Sequence, residues 1–246
     1  MGIVRLGPAS VAWASGLRRV ELDAAVVLAG PDLLRSASMD PHQRNRFLVG
    51  RLLIDALVAE LFPTATAWLV SAGVCRRCGE QHAGVELDGV PARASVSYAA
   101  DLVVVAVAPS SQVSRLGIDV ETSDVDHERA LELRRLLGAS SEPVLRRWTR
   151  VEAVLKADGR GLLVDPGAVH LRQGGAWLAG QSLSYVVAEV EGPPGYLISL
   201  AWCATAPSGT DPEHNTRRLN GPAGARWSRQ RTAVPARAGR PARKPR

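Results

Sequence analysis

The chain has 246 residues, 46% of them hydrophobic, which is enough to bury the core of one large domain or two small ones. Its net charge of +6 is uneven: residues 207–246 carry ten Lys or Arg against two acidic residues, a net +8 that leaves −2 for the rest. An odd number of cysteines (three) and the lack of a long apolar stretch argue against a disulfide-rich secreted domain and against a membrane protein. We therefore expect a cytoplasmic protein.

The first half of the chain contains signals for a strand, a long helix and a strand pair. Residues 20–29 predict a strand. Residues 40–62 predict an amphipathic helix with Asp40 as its N-cap, Pro41 in its first turn and Pro63 after its end. Residues 94–109 predict a strand, a turn and a second strand. The expected apolar side of the helix consists of Phe47, Leu48, Leu52, Ala56 and Val58.

The second half of the chain continues with a strand, a helix and closing strands. A short strand is expected over 115–121. A helix is expected over 140–159, capped by Ser140 or Ser141, opened by Pro143 and ended by Gly159. Because strands and helices alternate irregularly, the fold class is expected to be α+β, or a related α/β fold. The expected closing strands cover 177–184, 185–192 and 196–204.

The basic segment 207–246 is rich in Pro, Gly and Arg and nearly lacks aliphatic residues. Such a composition buries too little apolar surface to offset the entropy of ordering, so we expect disorder. The segment is either an arm for nucleic acid or anionic surfaces, or an extension without a binding role. We favour the second interpretation and do not expect a nucleic-acid partner.

Three carboxylates and one lysine form the most informative pattern. Asp119 and Glu121 are two apart on a predicted strand, so their side chains share one face. Glu152 and Lys156 are one turn apart on a predicted helix, and Lys244 is the only other lysine. Carboxylates with phosphate oxygens suit Mg²⁺, and a lysine beside them can hold a phosphate. The simpler alternatives are a solvated strand end and an ion pair on the helix surface.

The segments "GIDVE" (117–121) and "WTRVEAVLKADGRGL" (148–162) resemble the signatures of the 4′-phosphopantetheinyl transferases, larger monomeric (surfactin-synthetase-activating) type, in an actinobacterial-like form. The resemblance implies transfer of 4′-phosphopantetheine from coenzyme A to a serine of an apo acyl or peptidyl carrier protein, with release of adenosine 3′,5′-bisphosphate. It implies Mg²⁺ ligation by Asp119, Glu121 and Glu152, and catalytic roles for Glu152 and Lys156. Lys156 would contact the coenzyme A phosphates, and either Glu152 or a metal-bound water would accept the serine proton.

The resemblance extends over about residues 20–204 and adds coenzyme A contacts. "QRNRFLVGR" would supply Arg44 and Arg51, which share a helix face, and "SVSY" would supply Ser97 and Tyr98 near the adenosine 3′-phosphate. A solvated helix face is the alternative for the two arginines. The implied fold is two pseudo-symmetric halves, 1–110 and 111–205, with coenzyme A in their cleft and the tail 206–246 outside. The implied partner belongs to fatty-acid, polyketide or nonribosomal-peptide biosynthesis, and a monomer is expected.

Three departures from the family pattern remove expected cations. Tyr98 replaces a histidine, Val151 replaces a Lys or Arg, and the segment 82–94 contains no lysine. Arg150 could compensate in part, although it points about 100° away from position 151 on a helix. These departures keep two alternatives open: a degenerate, non-catalytic homologue that acts as a binding protein, and a different Mg²⁺-dependent phosphate enzyme.

A separate motif consists of Cys75, Cys78 and His82, to which Cys203 could add a fourth ligand. These four residues could bind zinc. A single Cys-x-x-Cys pair is weak evidence for a zinc site, so we favour a loop without metal.

Overall fold

The computed structural model describes residues 1–15, 30–73 and 84–205. They belong to one compact unit, Met1–Ala206. The strand predicted over 20–29, the motif of Cys75, Cys78 and His82, and the tail 206–246 lie outside the described residues. None of the helices in the described ranges is long and apolar enough to cross a membrane.

The first half forms a six-stranded antiparallel sheet in the order β1-β2-β6-β5-β4-β3. The predicted strand pair is confirmed as β5 and β6, joined by a tight turn in which Ala100 has a φ of 48°. Strand β6 is buried along nearly its whole length, as its run of valine and alanine requires. The strands are β1 (Gly2–Leu6), β2 (Ala9–Ala14), β3 (Leu69–Ala72), β4 (Val85–Asp88), β5 (Ala92–Ala99) and β6 (Leu102–Pro109).

Two helices, α1 (Gly30–Ala37) and α2 (Pro41–Leu61), accompany the first sheet. The predicted N-cap is confirmed, because the Asp40 carboxylate accepts hydrogen bonds from the backbone N–H groups of His42 and Gln43. The predicted apolar side is partly wrong: Leu52 is half-buried and Ala56 is exposed. The helix turns a neighbouring face to the sheet, and buries Leu53, Ile54 and Leu57 there instead.

The second half forms a five-stranded antiparallel sheet in the order β7-β11-β10-β9-β8. The predicted strand 115–121 is confirmed within β7, whereas most of 177–184 is a turn between β9 and β10. The strands are β7 (Val113–Thr122), β8 (Val169–Arg172), β9 (Gly175–Leu178), β10 (Ser184–Glu189) and β11 (Tyr196–Ala204).

Helices α3 (His127–Leu137) and α4 (Val144–Asp158) belong to the second half, with 3-10 turns at Gly161–Leu163 and Pro166–Ala168. Helix α4 packs on β7 and β11. It ends at Gly159 in the left-handed conformation, as predicted. The predicted serine cap is wrong: α4 begins after Pro143, and Ser140 instead accepts a hydrogen bond from the N–H of Glu142.

Strands β5 and β7 join the two sheets through serine hydroxyls. Ser95 Oγ accepts a hydrogen bond from the N–H of Ile118 (3.0 Å), and Ser97 Oγ accepts one from the N–H of Val120 (3.3 Å). Because β7 is an edge strand, these hydroxyls satisfy backbone donors that no strand pairs. The described residues thus form an α+β fold with two antiparallel sheets and four α-helices, which confirms the predicted class.

Candidate functional site

Strand β7 presents Asp119 and Glu121 on the face that meets α4, while Ile118 and Val120 lie in the core between the sheets. This is the alternation that the sequence predicts. Asp119 is only 5% exposed, so its carboxylate is held away from bulk water. A buried carboxylate needs a cation or hydrogen-bond donors to remain ionised.

Lys156 supplies the cation for Asp119. Its Nζ donates to Asp119 Oδ1 at 2.7 Å and to Ser97 Oγ at 2.8 Å, and Ser97 Oγ donates to the same Oδ1 at 2.9 Å. The ion pair of Lys156 is therefore with Asp119 on β7 and not with Glu152 on its own helix. The alternative of a Glu152–Lys156 pair on the helix surface is wrong.

The second carboxylate oxygen of Asp119 is different. Within the part of the chain that the structure describes, Oδ2 is buried and has no hydrogen-bond partner. An unsatisfied buried acceptor costs about 1–3 kcal/mol, and such groups are rare in folded proteins. Asp119 therefore keeps one oxygen available for a ligand.

Glu121 lies two residues further along β7 and is held by two donors. Its Oε1 accepts a hydrogen bond from Arg129 Nη2 at 2.6 Å and one from Trp148 Nε1 at 3.1 Å. Burial raises the pKa of this carboxyl group, Arg129 lowers it, and the charge of Asp119 raises it again, so that the result is a raised pKa.

Glu152 completes the group from α4, one turn before Lys156. Burial raises the pKa of its carboxyl group; the negative charges of Asp119 and Glu121 raise it further, and Lys156 lowers it. No hydrogen bond contributes to this shift. The three carboxylates therefore sense one another's charge, which is the electrostatic condition for binding a cation.

The donor set fits Mg²⁺ in its chemistry, because all three side chains offer carboxylate oxygens and Asp119 Oδ2 has no other partner. No three His, Cys, Asp or Glu side chains of the described residues are already grouped as a metal site. The reason is that Lys156 takes Asp119 Oδ1 and Arg129 takes Glu121 Oε1. A metal would bind through the remaining oxygens of Asp119 and Glu121, together with Glu152.

A second feature is a cavity of about 350 Å³ beside the first sheet, which we call the arginine pocket. Arg51 there is buried and paired with Asp32, at 2.6 Å between Nε and Oδ2. Arg35 and Arg46 add two positive charges, so the pocket favours an anion. Its lining consists of Arg35, Met39, Gln43, Arg46, Phe47, Arg51, Gly84, Val85, Val96 and Tyr98.

The structure brings some of the predicted coenzyme A contacts to this pocket and not others. Arg51 and Tyr98 line it, whereas Arg44 is exposed and does not. Arg46, which the sequence analysis did not select, lines it instead, with its guanidinium 5.8 Å from the centre of the Tyr98 ring. The signal that could have identified Arg46 is its spacing of five from Arg51, because residues five apart on a helix are about 140° apart and can border one cavity from two sides.

Ser97 and Tyr98 point to opposite faces of β5, as neighbours on a strand do. Tyr98 faces the arginine pocket, and Ser97 faces Asp119 and Lys156. The two residues predicted to approach one phosphate therefore belong to different sites. Burial raises the pKa of the Tyr98 hydroxyl, so it remains a neutral donor near pH 7.

The other departures from the family pattern also have structural consequences. Val151 is buried in the apolar cluster between α4 and the second sheet, where a lysine would lose its hydration. Arg150 donates to Glu142 Oε1 at 2.7 Å and to the carbonyl of Arg172 at 2.9 Å. Its charge is thus already paired and does not compensate for Val151 at the carboxylates.

Comparison with known proteins gives no further guide to this site. Neither the models of known protein families nor the sequences of curated proteins match this chain.

Proposed function

We propose that this protein transfers the 4′-phosphopantetheine group of coenzyme A to a serine of an apo acyl or peptidyl carrier protein, with Mg²⁺, and releases adenosine 3′,5′-bisphosphate. One observation supports this most. Lys156 and three carboxylates from two separate motifs gather around Asp119, whose Oδ2 is buried without a partner. A phosphate-transfer centre needs this combination of a divalent-cation site and a mobile positive charge.

Coenzyme A would use both sites. The positive charge of Arg35 and Arg46 suits a phosphate monoester, and Tyr98 can donate one hydrogen bond to it. Because Ser97 and Tyr98 are consecutive residues of β5, the pocket and the carboxylates lie on the two sides of a single strand. A ligand whose 3′-phosphate and pyrophosphate are well separated can address both.

Mg²⁺ held by Asp119, Glu121 and Glu152 would neutralise charge on the pyrophosphate. The carrier serine oxygen attacks the β-phosphorus, and the bond from that phosphorus to the bridging oxygen breaks. Glu152 accepts the serine proton, for which its raised pKa is suited. Lys156 turns from Asp119 towards the leaving adenosine bisphosphate and stabilises the charge that develops there.

The same proposal includes the division into halves at 1–110 and 111–205 and a monomeric, cytoplasmic enzyme. The strands of the first sheet lie between Gly2 and Pro109, and those of the second between Val113 and Ala204. This division is what a pseudo-symmetric transferase would require.

The test is intact-mass spectrometry of apo carrier proteins of the fatty-acid, polyketide and nonribosomal-peptide types, each incubated with the protein, coenzyme A and Mg²⁺. A 4′-phosphopantetheine adduct that disappears with a chelator supports the proposal. Binding of coenzyme A without any adduct would favour the non-catalytic homologue instead.

A further inference from the structure

Glu121 Oε1 is the only oxygen of the three carboxylates that receives hydrogen bonds from two different helices within the described ranges. Arg129 Nη2 reaches it from the first turn of α3 at 2.6 Å, and Trp148 Nε1 reaches it from α4 at 3.1 Å. Two donors occupy both lone-pair directions of that oxygen. The orientation of the carboxylate is therefore fixed, and Oε2 remains for another ligand.

The Arg129 side chain is placed by the fold. Helix α3 begins after Asp126, whose Oδ1 accepts a hydrogen bond from the N–H of Arg129 at 2.8 Å. The preceding loop is fixed by a hydrogen bond of 2.8 Å from the N–H of Ser123 to the carbonyl of Gly195. Arg129 thus turns back towards the end of β7 because its own backbone caps the helix.

Trp148 acts from the other side. Its ring is half-buried against the apolar cluster between α4 and the second sheet. An indole N–H is a donor only, so a packed tryptophan needs an acceptor, and Glu121 Oε1 is that acceptor. Packing fixes the ring, and the ring fixes the carboxylate.

We propose that Arg129 and Trp148 are positioning residues, which hold Glu121 Oε1 so that Oε2 is directed to the metal. The inference rests on the proposed function, because it assigns Glu121 to the metal site. Donors behind a ligating carboxylate orient it, and their removal typically lowers metal affinity about 10–100-fold. Neither residue touches the substrate in this arrangement.

The experiment measures Mn²⁺ binding to the full chain by electron paramagnetic resonance, with and without coenzyme A. Arg129→Gln and Trp148→Phe should each weaken Mn²⁺ binding about 10–100-fold. Arg129→Lys, which keeps the charge but not the planar fork, should fall between Arg129→Gln and the wild type. Thermal melting should change little, because Arg129 is about half exposed and phenylalanine keeps the ring packing.

Matched controls remove the same groups elsewhere. Arg134→Gln takes a charge from an exposed position of α3, and Trp177→Phe alters an exposed tryptophan of β9; both should bind Mn²⁺ as the wild type does. Unchanged Mn²⁺ affinity in Arg129→Gln and Trp148→Phe would overturn the positioning roles and leave the proposed function standing. A wild-type protein that binds no Mn²⁺ under either condition would overturn both.

Discussion

Lys156 is the only lysine among residues 1–205, and its position has a structural reason. Its ammonium group lies between Asp119 Oδ1 and Ser97 Oγ, in a space bounded by two strands and α4. A compact charge on a flexible stem can leave such a position for a nearby phosphate, whereas a guanidinium pairs more rigidly with a carboxylate. Lys156 thus has two possible partners, a carboxylate when the site is empty and a phosphate in the proposed reaction.

Lys156→Met should destabilise the protein, because Asp119 would remain buried without its counter-charge. We expect a loss on the order of 1–3 kcal/mol in urea unfolding, less than for a fully buried pair because the Lys156 side chain is 30% exposed. Lys156→Arg should retain most of this stability but lose transfer activity. A Lys156→Met variant as stable as the wild type would show that the pair contributes nothing, and full activity in Lys156→Arg would show that lysine is not required.

Glu152 should make stability depend on pH in the metal-free protein. Its pKa is raised above the ordinary 4.5, so the native state binds the proton more tightly than the unfolded state does. The contribution of Glu152 to stability therefore falls as pH rises from the ordinary value through the raised one. Glu152→Gln removes this loss, so it should be more stable than the wild type at pH 7, and the difference should shrink towards pH 4.

The measurement is urea unfolding of Glu152→Gln across this range, in the presence of a chelator. Glu142→Gln is the matched control, since Glu142 pairs favourably with Arg150 at 2.7 Å and should gain nothing from losing its charge. A Glu152→Gln protein that is less stable than the wild type at pH 7 would contradict the repulsion among the three carboxylates.

At the scale of elements, the close packing of α4 on β7 brings the two motifs together. Gly117 makes this packing possible: a Cβ there would lie 2.2 Å from the carbonyl oxygen of Ala153 and 2.3 Å from the nitrogen of Ala157. Both are backbone atoms of α4, which cannot move without shifting the helix. The glycine at the start of "GIDVE" therefore sets the distance across which Lys156 reaches Asp119.

Gly117→Ala should push α4 away from β7. We expect a loss of about 3 kcal/mol in urea unfolding, at the upper end of the range for overpacked cores, together with weaker Mn²⁺ binding. Gly167→Ala is the control, because the nearest atom to a Cβ there is a side-chain oxygen of Asp165 at 3.2 Å. That variant should lose less than about 1 kcal/mol. Equal stability of the two variants would mean that α4 does not depend on Gly117 for its position.

Local patterns predicted the parts of the site that lie within one element. Strand alternation placed Asp119 and Glu121 on one face, and helix spacing placed Glu152 beside Lys156. The ion pair from Lys156 to Asp119 joins two elements, and no local pattern encodes which strand α4 covers. Helix α3, and with it Arg129, was not predicted, although Asp126 before "HERALELRRLL" is an N-cap signal.

At the scale of the whole molecule, the candidate site lies where the two sheets meet. Ser97 comes from the first sheet and Asp119 from the second, and they share a hydrogen bond of 2.9 Å. A buried apolar cluster, which includes Val104 and Ile118, holds the sheets together behind them. The sequence predicted both strands but not their contact, because pairing between sheets depends on long-range packing.

The most direct test of the proposed function is the rate at which an apo carrier protein gains 4′-phosphopantetheine, followed by intact-mass spectrometry. Wild type and Glu142→Gln should modify the carrier at similar rates with coenzyme A and Mg²⁺. Glu152→Gln should be slower by about 10²–10⁴-fold, because it loses a metal ligand and the proton acceptor. The absence of an adduct with every carrier type, or equal rates for all three proteins, would contradict the account.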